Sequence, residues 1–407
     1  MSSGTQSGSI DCVLIAGAGP VGLVCANVLA DAGIPVRLFE AEPTLPETLR
    51  ASTFHPPTLD MLDRFDASRP MIAMGLVAPT LQYRDRHGWK VDFDFRDIAD
   101  LTNHPYRLQC EQFKLNRILA ERLTQFPHVT IEYGAAVVGV EQAADDVTIT
   151  IDTHGTMGTM RPVTGRWLIG ADGGRSRVRE RIGVAFDGFT WEERFLVAST
   201  PFDFASAIPD LRDVSYFADP VEWYFLLHAP GVWRAMFPTR ADETDADILT
   251  DANVQRRLQR VHSRSSAYEI RHKTLYSVHQ RVAEAYRRGR VFLSGDAAHL
   301  NNPLGGMGMN GGIHDAFNLA EKLVRVWRGE ADDDELDRYE RQRRPIALEY
   351  VNTITIANKR NLESADPDEQ RNWRETMDKT AADRDLTRAY LKRIAMFTSL
   401  EKAAAIH

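Results

Sequence analysis

The sequence predicts an α/β fold in which a discontinuous domain of alternating strands and helices is interleaved with a mostly antiparallel β-sheet and followed by C-terminal helices. Three observations predict it. Short apolar strands run into glycine-rich turns and helices at three separate positions, near residues 17, 172 and 296. The interval 191–278 instead carries short aromatic and β-branched runs between turn residues, as antiparallel strands do. From Asp333 onward the spacing of apolar residues is helical.

Composition excludes several classes of protein. The chain has 407 residues, 43% hydrophobic and 26% charged, which is enough for two domains. Its net charge of −8 offers no basic field for nucleic acid. Cys12, Cys25 and Cys110 lack the spacing of a disulfide framework or a metal site, which fits a reducing cytoplasm. Because we find neither a membrane-spanning run nor a signal peptide, we expect a cytoplasmic protein that binds no metal, membrane or nucleic acid.

The first junction has the pattern of a Rossmann-like dinucleotide site. Residues 11–16 form an apolar strand, GAGPVG follows, and a helical pattern begins at once. In such a turn Gly17 makes the tight bend and Gly19 lets the backbone approach a pyrophosphate. Gly22 lets the helix pack closely on the strand. The whole pattern in register favours a bound dinucleotide over a purely structural turn.

The strand that follows the helix selects among dinucleotides. Residues 35–39 form this strand, and it ends at Glu40, whose carboxylate can accept hydrogen bonds from ribose hydroxyls. The acid suits an unphosphorylated ribose, so FAD or NAD, and disfavours NADP. The phosphates would rest at the helix start, beside Pro20 and Val21. This turn alone does not choose between FAD and NAD.

The third junction, from Val291 to Asn318, is the most unusual stretch. A buried strand, residues 291–293, stops at Asp296, and a run of glycines precedes a helix from Met309 onward. The carboxylate suits a polyol, and the N–H groups of the helix start suit an electron-rich ring edge. The alternative is an ordinary strand-to-helix loop in which the glycines only turn the chain.

Three further residues could bind a ligand or serve the fold. Asp172 ends a strand before Gly173 and Gly174, where it either caps the next helix or flanks a cofactor. Gln109 precedes a helix over 112–123 and can bond a ligand or cap that helix. Arg50 contacts the cofactor or lies on the surface.

The remaining segments predict strands and a substrate-covering sheet. Residues 79–95 predict a hairpin, and 129–133, 136–141 and 146–151 predict a three-stranded meander. The aromatic sheet over 191–278 must cover something, and a small aromatic or apolar substrate fits it. Its candidate pocket residues are Tyr216, Tyr224 and His228. Alternation places Tyr224 and His228 on one face, but which face meets the cofactor stays open, and a lone strand histidine is more often a packing residue.

GAGPVG with Glu40, GADGGRS at 170–176 and SGDAAHLNNPLGGMGMNGG at 294–312 occur in the order seen in one family. They resemble the flavoprotein aromatic hydroxylases, the single-component FAD monooxygenases typified by para-hydroxybenzoate hydroxylase, and most of all the phenol-hydroxylase-like branch. The resemblance covers residues 11 to about 327. It implies an FAD-binding domain over 11–78, 106–185 and 280–330, a substrate domain over 79–105 and 186–279, and a helical segment over 331–407.

The resemblance also implies roles for single residues. The first motif would hold the ADP of FAD, and Asp172 would lie near the cofactor with a link to nicotinamide-nucleotide binding. Asp296 would bind the ribityl chain. The residues implied to face or touch the flavin are Pro303, Gly306, Gly308, Met309 and Asn310 at the ring, with Arg50 and Gln109 elsewhere on FAD. The glycines would also permit the flavin to move.

The implied activity is a monooxygenase reaction. NADH or NADPH would reduce FAD, dioxygen would add to form a flavin hydroperoxide, and a phenolic ring would take the distal oxygen. The partners would be a small aromatic substrate and dioxygen, and the protein a monomer or homodimer. Alternatives on the same scaffold are a reductase, a halogenase-like enzyme, although the G-W-x-W-x-I-P segment of tryptophan halogenases is absent, and a non-oxygenating flavin-binding redox protein.

Overall fold

The computed structural model describes residues 11–47, 51–153 and 159–407, with the backbone alone for 350–352. The strands are β1 (Val13–Ala16), β2 (Val36–Glu40), β3 (Thr53–Phe54), β4 (Leu76–Ala78), β5 (Thr80–Arg84), β6 (Lys90–Asp94), β7 (Arg107–Gln109), β8 (Val129–Tyr133), β9 (Ala135–Gln142), β10 (Val147–Thr153), β11 (Thr159–Gly165), β12 (Trp167–Gly170), β13 (Phe186–Thr200), β14 (Val214–Phe217), β15 (Tyr224–Ala229), β16 (Val232–Pro238), β17 (His272–Ala283), β18 (Arg287–Arg288), β19 (Val291–Leu293) and β20 (His299–Leu300).

The helices are α1 (Pro20–Asp31), α2 (Pro56–Asp63), α3 (Ser68–Met74), α4 (Gln112–Leu123), α5 (Arg177–Arg181), α6 (Phe204–Ala207), α7 (Asp245–Ile248), α8 (Asp251–Val261), α9 (Met307–Trp327), α10 (Asp334–Ile346), α11 (Thr355–Glu363), α12 (Pro367–Ala382), α13 (Arg384–Ile394) and α14 (Phe397–Ala404). A π-helical stretch, Ala347–Ile354, joins α10 to α11 just after Pro345. In the described part of the chain, no helix is long and apolar enough to cross a membrane.

A six-stranded sheet brings the three predicted junctions together. Its order is β18-β19-β12-β1-β2-β8, and every pair except β18–β19 is parallel. Ala16 at the end of β1 pairs with Phe39 and with Gly170, and Gly170 pairs with Leu293. The carboxyl ends of these strands therefore lie at one edge of the sheet, where ligands of open α/β sheets bind.

The predicted meander is wrong in its first strand. Residues 129–133 form β8, which pairs in parallel with β2 in the six-stranded sheet. The antiparallel meander is instead β9, β10 and β11. Short strands that follow one another along the chain suggested a local sheet, but β8 returns from α4 as the end of a crossover and so joins the parallel sheet.

An eight-stranded sheet forms the second layer, in the order β20-β17-β13-β16-β15-β14-β5-β6. The predicted hairpin over 79–95 is present as β5 and β6, and all pairs are antiparallel except β14 with β5. One face packs against α12 and α13, whose apolar side chains share a buried cluster with Tyr83 and Phe93. The predicted fold class is confirmed, whereas the exact division into domains stays a prediction.

Candidate active site

The three glycines of the first junction differ in what surrounds them. Gly17 has φ +99°, and a Cβ there would lie 2.4 Å from the carbonyl oxygen of Ala171. A Cβ on Gly22 would lie 2.0 Å from the carbonyl oxygen of Gly17. At Gly19, by contrast, an added Cβ would meet no atom within 4 Å. Gly17 and Gly22 are therefore required by the protein itself, whereas Gly19 borders open space at the start of α1.

Glu40 is held against the same turn. One carboxylate oxygen accepts a hydrogen bond from the backbone N–H of Ala18 at 2.7 Å, and the other accepts from Glu42 N–H at 3.0 Å. The side chain is half-buried at the end of β2. The carboxylate thus lies beside the glycine turn, and its proposed contact with ribose hydroxyls stays a prediction.

The Asp172 side chain is hydrogen-bonded to the start of the short helix α5. Its carboxylate accepts hydrogen bonds from the Ser176 hydroxyl at 2.6 Å and from the Val178 backbone N–H at 3.0 Å, at the start of α5. Burial raises the pKa of Asp172, and these hydrogen bonds act in the opposite direction. The helix-capping alternative is therefore present in the structure, while a contact with a cofactor stays a prediction.

The third junction packs against the first. Gly295 has φ +62°, and a Cβ there would lie 2.6 Å from a methyl carbon of Val21 on α1. A Cβ on Gly312 of α9 would lie 2.8 Å from the same methyl carbon and 3.0 Å from the Cα of Gly295. Asp296 follows Gly295 with an exposed side chain, so this carboxylate lies close to the start of α1.

Asn310 fastens the start of α9 to the short strand β3. Its side-chain oxygen accepts from the His55 backbone N–H at 2.9 Å. Its amide nitrogen donates to the carbonyl oxygens of Thr53, at 2.8 Å, and Gly306, at 2.6 Å. Gly306 is the N-cap of this helix and has φ +69°, so Asn310 links the end of the 303–306 loop to β3. Met309 lies in the first helical turn, where backbone N–H groups lack intrahelical acceptors.

Comparison with known proteins identifies the family. A family model described as an FAD binding domain matches residues 11–353. The para-nitrophenol 4-monooxygenase of Pseudomonas sp. (strain WBC-3) is 36% identical over 88% of this chain and 89% of its own length. The chain belongs to the FAD-dependent aromatic hydroxylases. The present chain is also 32% identical to the pentachlorophenol 4-monooxygenase of Sphingobium chlorophenolicum, over 83% of its own length and 63% of that protein.

A solved structure extends the likeness to the fold. The crystal structure of p-nitrophenol 4-monooxygenase from Pseudomonas putida DLL-E4 matches the present chain with a TM-score of 0.89 and 31% identity. The match covers 97% of this chain and 98% of that one. The two chains therefore share their fold over nearly their full length.

FAD fits an open space and an unpaired hydrogen-bond donor that the described residues themselves do not satisfy. The open space beside Gly19 lies at a helix start, where a pyrophosphate is favoured. Gln109 is fully buried on β7, and its amide oxygen accepts from the Thr53 hydroxyl at 2.9 Å, but its amide nitrogen has no partner in the described part of the chain. A buried unpaired donor is costly, so an acceptor on a bound ligand would complete it. Arg50 lies outside the described residues.

The eight-stranded sheet presents only one of the three predicted pocket residues to this loop. Gly305 N–H donates to the Tyr216 hydroxyl at 3.2 Å. Tyr216 pairs with Phe225, whereas Tyr224 pairs with Phe217 and so faces the other side of the sheet. His228 shares that side, where its ring stacks on Trp233 at 4.5 Å.

The structure therefore places Tyr224 and His228 on the face away from the 303–306 loop and does not bring them together with Tyr216, so their role in a substrate pocket stays a prediction. Tyr224 packs in a cluster with Ile248, Val254 and Leu258 from the helices behind the sheet, and His228 Nδ1 bonds Asp213 at 2.8 Å. The alternation in the sequence separated the two faces correctly. Helices cover both faces, α12 and α13 on the Tyr216 side and α7 and α8 on the Tyr224 side, so the period of two could not say which face meets the 303–306 loop.

Sequence reasoning missed His55 and Thr53. The His55 Nε2 atom lies 2.8 Å from the Gly305 carbonyl oxygen, so this nitrogen carries the proton of a neutral ring. Burial lowers the pKa of His55 well below its usual value. Thr53 lies against Gly306, where an added Cβ would come within 3.1 Å of it. Neither residue stands in a recognisable motif, because β3 has only two residues.

Proposed function

We propose that this chain is a monooxygenase that uses NADH or NADPH and dioxygen to hydroxylate a small phenol. The observation that carries the proposal is the position of the loop over 303–306. Its Gly305 N–H bonds Tyr216 of the eight-stranded sheet, and its Gly306 carbonyl oxygen accepts from Asn310 of α9. The helix α9 packs through Gly312 against Val21 of α1, where FAD would bind. The relatives named for nitrophenol and pentachlorophenol support a phenolic substrate. The free, buried cysteines fit a cytoplasmic location.

The residues that would hold FAD follow from the fit described above. Gly19 and the start of α1 would receive the pyrophosphate, Glu40 and Asp296 would accept hydrogen bonds from hydroxyls, and Gln109 would donate to an acceptor on the cofactor. When bound, FAD supplies electron transfer from the nicotinamide and activation of dioxygen. The N–H groups and dipole of the α9 start would stabilise negative charge at the ring edge near Met309.

The protein's further contribution is positioning and exclusion of water. The face of the sheet near Gly305 carries apolar and aromatic side chains, including Phe195, Leu227 and Met236, in one buried cluster with Tyr216. Such a face suits a flat apolar ring and disfavours water beside the reacting atoms. No nucleophilic side chain is needed, because the cofactor carries the oxygen transfer.

Anaerobic reduction of bound FAD tests the proposal. The holoenzyme is mixed with NADH or NADPH, with and without 4-nitrophenol, pentachlorophenol or 3-(3-hydroxyphenyl)propionate, and flavin absorbance is followed. We expect a phenol to accelerate bleaching and, with air admitted, to be hydroxylated. Bleaching at one rate regardless of phenol would contradict the proposal and favour a reductase. Absence of bleaching by either nicotinamide would favour a halogenase-like enzyme or a redox protein that is served by a separate reductase.

A further inference from the structure

Arg107 is a buried cation with no ion-pair partner in the described part of the chain. It begins β7, its residue is 2% exposed, and its Nε has no hydrogen-bond acceptor. Among the described residues it forms no ion pair, and its guanidinium lies over the Phe95 ring at 5.5 Å. Arginine stays protonated in proteins, so the fold keeps a desolvated positive charge at this position.

Among the described residues, the other buried arginine and lysine side chains all have acceptors. Arg257, Arg343, Arg234 and Lys359 pair with carboxylates, Arg179 donates to two backbone carbonyls, and Lys322 bonds the side-chain oxygens of Asn318 and Gln342. A buried charge without a partner is strongly unfavourable. Arg107 is thus the exception, and the missing anion has to come from something that binds there.

The surroundings of Arg107 identify where that anion would lie. Burial lowers the pKa of His55, and the charge of Arg107 lowers it further. Burial raises the pKa values of Tyr83 and Tyr390, and the same charge opposes the rise. The packing agrees with this placement, because Phe95, over which the guanidinium lies, shares a buried cluster with Tyr83 and Tyr216. The Tyr390 hydroxyl in turn donates to the Tyr83 hydroxyl at 3.1 Å. Two residues along β7, on the same side of the strand, Gln109 bonds Thr53, which lies against Gly306.

The same groups border the loop at the proposed active site. His55 bonds the Gly305 carbonyl oxygen, and Gly305 N–H bonds the hydroxyl of Tyr216, whose ring stacks on Tyr83 at 5.3 Å. The nearest acid along the chain, Glu111, is already paired with Arg234 and Lys114. Arg107 thus belongs to the region where the loop meets the Tyr216 face, and the proposed function puts the substrate beside that face.

Resting on that proposed function, we propose that Arg107 is the counter-charge for an aromatic substrate that binds with a negatively charged oxygen. A phenol would bind as its phenolate, or through a ring carboxylate where it has one. The guanidinium would hold the anionic oxygen by charge-assisted hydrogen bonds and leave the ring against Tyr216. Neutral aromatic compounds of the same shape would leave the buried charge unpaired and bind weakly.

The test is binding to the oxidised holoenzyme without nicotinamide. The probe is 4-nitrophenol, whose phenolate is yellow, so difference spectra report both its affinity and its ionisation when bound. In the wild type we expect phenolate binding at a pH where the free probe is mostly protonated. Arg107→Met should weaken phenolate binding by roughly 10- to 100-fold, Arg107→Lys should retain part of it, and 4-nitroanisole, which lacks the acidic proton, should bind both proteins equally weakly.

Matched controls separate this role from others. Arg96→Met removes the same charge from an exposed side chain just after β6 and should leave phenolate binding unchanged. Comparing 3-(3-hydroxyphenyl)propionate with its amide shows whether a carboxylate or the phenolate depends on Arg107. If Arg107→Met does not fold, the wild-type spectrum and the lysine variant still decide the question.

Three outcomes would overturn the inference. They are wild-type binding of neutral nitrophenol, equal loss of nitrophenol and nitroanisole binding in Arg107→Met, and loss of FAD from that variant with phenolate binding intact. Because no turnover is involved, phenolate binding through Arg107 without accelerated flavin bleaching would count against the proposed function alone. Accelerated bleaching by neutral aromatics in both proteins would count against the role of Arg107 alone.

Discussion

Gly19 and Gly22 show how two identical residues in one turn have different physical tasks. Gly19 has φ −72° and ψ 179°, a conformation that any residue adopts, and its Cβ position is open. A Cβ added to Gly22 would instead lie too close to the carbonyl oxygen of Gly17 for the structure to accommodate it unchanged. The protein itself therefore excludes a side chain at Gly22, whereas at Gly19 only a bound ligand would exclude one.

Alanine at the two positions should separate binding from folding. Gly19→Ala should change the free energy of unfolding of the FAD-free protein by no more than about 1 kcal/mol, since a slightly worse helix cap opposes a less flexible unfolded chain. It should greatly weaken FAD binding. Gly22→Ala should destabilise the FAD-free protein by about 1–3 kcal/mol through overpacking. Denaturant unfolding and FAD titration measure both, and unchanged FAD affinity in Gly19→Ala would refute a phosphate beside this residue.

The limits of sequence reasoning are also visible at single residues. The steric roles of Gly17 and Gly22 could be predicted, because the fingerprint specifies backbone contacts within one strand–turn–helix unit. Asp172 could not be assigned, since a carboxylate at a helix start can serve either the helix or a ligand, and only coordinates show its bonds to Ser176 and Val178. The role of Arg107 could not be predicted either, because the sequence does not show whether a charged side chain has an ion-pair partner in the fold.

At the scale of elements, the sequence predicted type better than partner. The helices α1 and α4 occur where the apolar spacing predicted them. The helix α12 was not predicted separately, and β8 was given the wrong neighbour. Helical periodicity is a local property, whereas strand pairing and the buried side of a sheet depend on what packs against them.

The C-terminal helix α13 packs against the face of the eight-stranded sheet that carries Tyr83 and Tyr216. Leu391 on α13 is fully buried in the cluster that holds Tyr83 and Tyr216, whereas Leu386 on the same helix is 50% exposed. Leu391→Ala should lower the free energy of unfolding by about 2–5 kcal/mol, because it leaves a cavity in that cluster. Leu386→Ala should change it by less than about 0.5 kcal/mol. Equal effects in urea unfolding would show that α13 does not support the sheet face near the site.

At the scale of the whole molecule, the site is assembled from distant parts of the chain. His55 and Asn310 are 255 residues apart in sequence, and Thr58 and His314 are 256 apart, yet both pairs are hydrogen-bonded. These contacts join the layer around β3 and α2 to α9. No local pattern predicts them, so the sequence indicated which segments bind the cofactor but not which residues join them.

His314 makes this assembly sensitive to acid. Its Nε2 lies 2.9 Å from the Thr58 hydroxyl, and its ring is buried, which together with the nearby charge of Arg343 lowers its pKa from 6.5 to about 3. Above the pKa of the unfolded chain, such a histidine is neutral in both states, so the folded protein keeps its full stability. Part of that stability is lost as the pH falls, because His314 then binds a proton in the unfolded chain but stays neutral in the folded protein.

Replacing His314 should therefore reduce the pH dependence of stability. Between pH 7 and 5, His314 alone should remove about 2 kcal/mol from the free energy of unfolding. His314→Gln keeps a hydrogen-bonding partner for Thr58 but does not titrate, so its loss over this range should be smaller by that amount. Exposed His87, replaced by Gln, controls for the loss of any one histidine. Because other buried groups also titrate, the decisive quantity is the difference in urea-unfolding curves at the two pH values. Parallel pH profiles for wild type and His314→Gln would show that His314 takes up a proton in the folded protein as readily as in the unfolded chain.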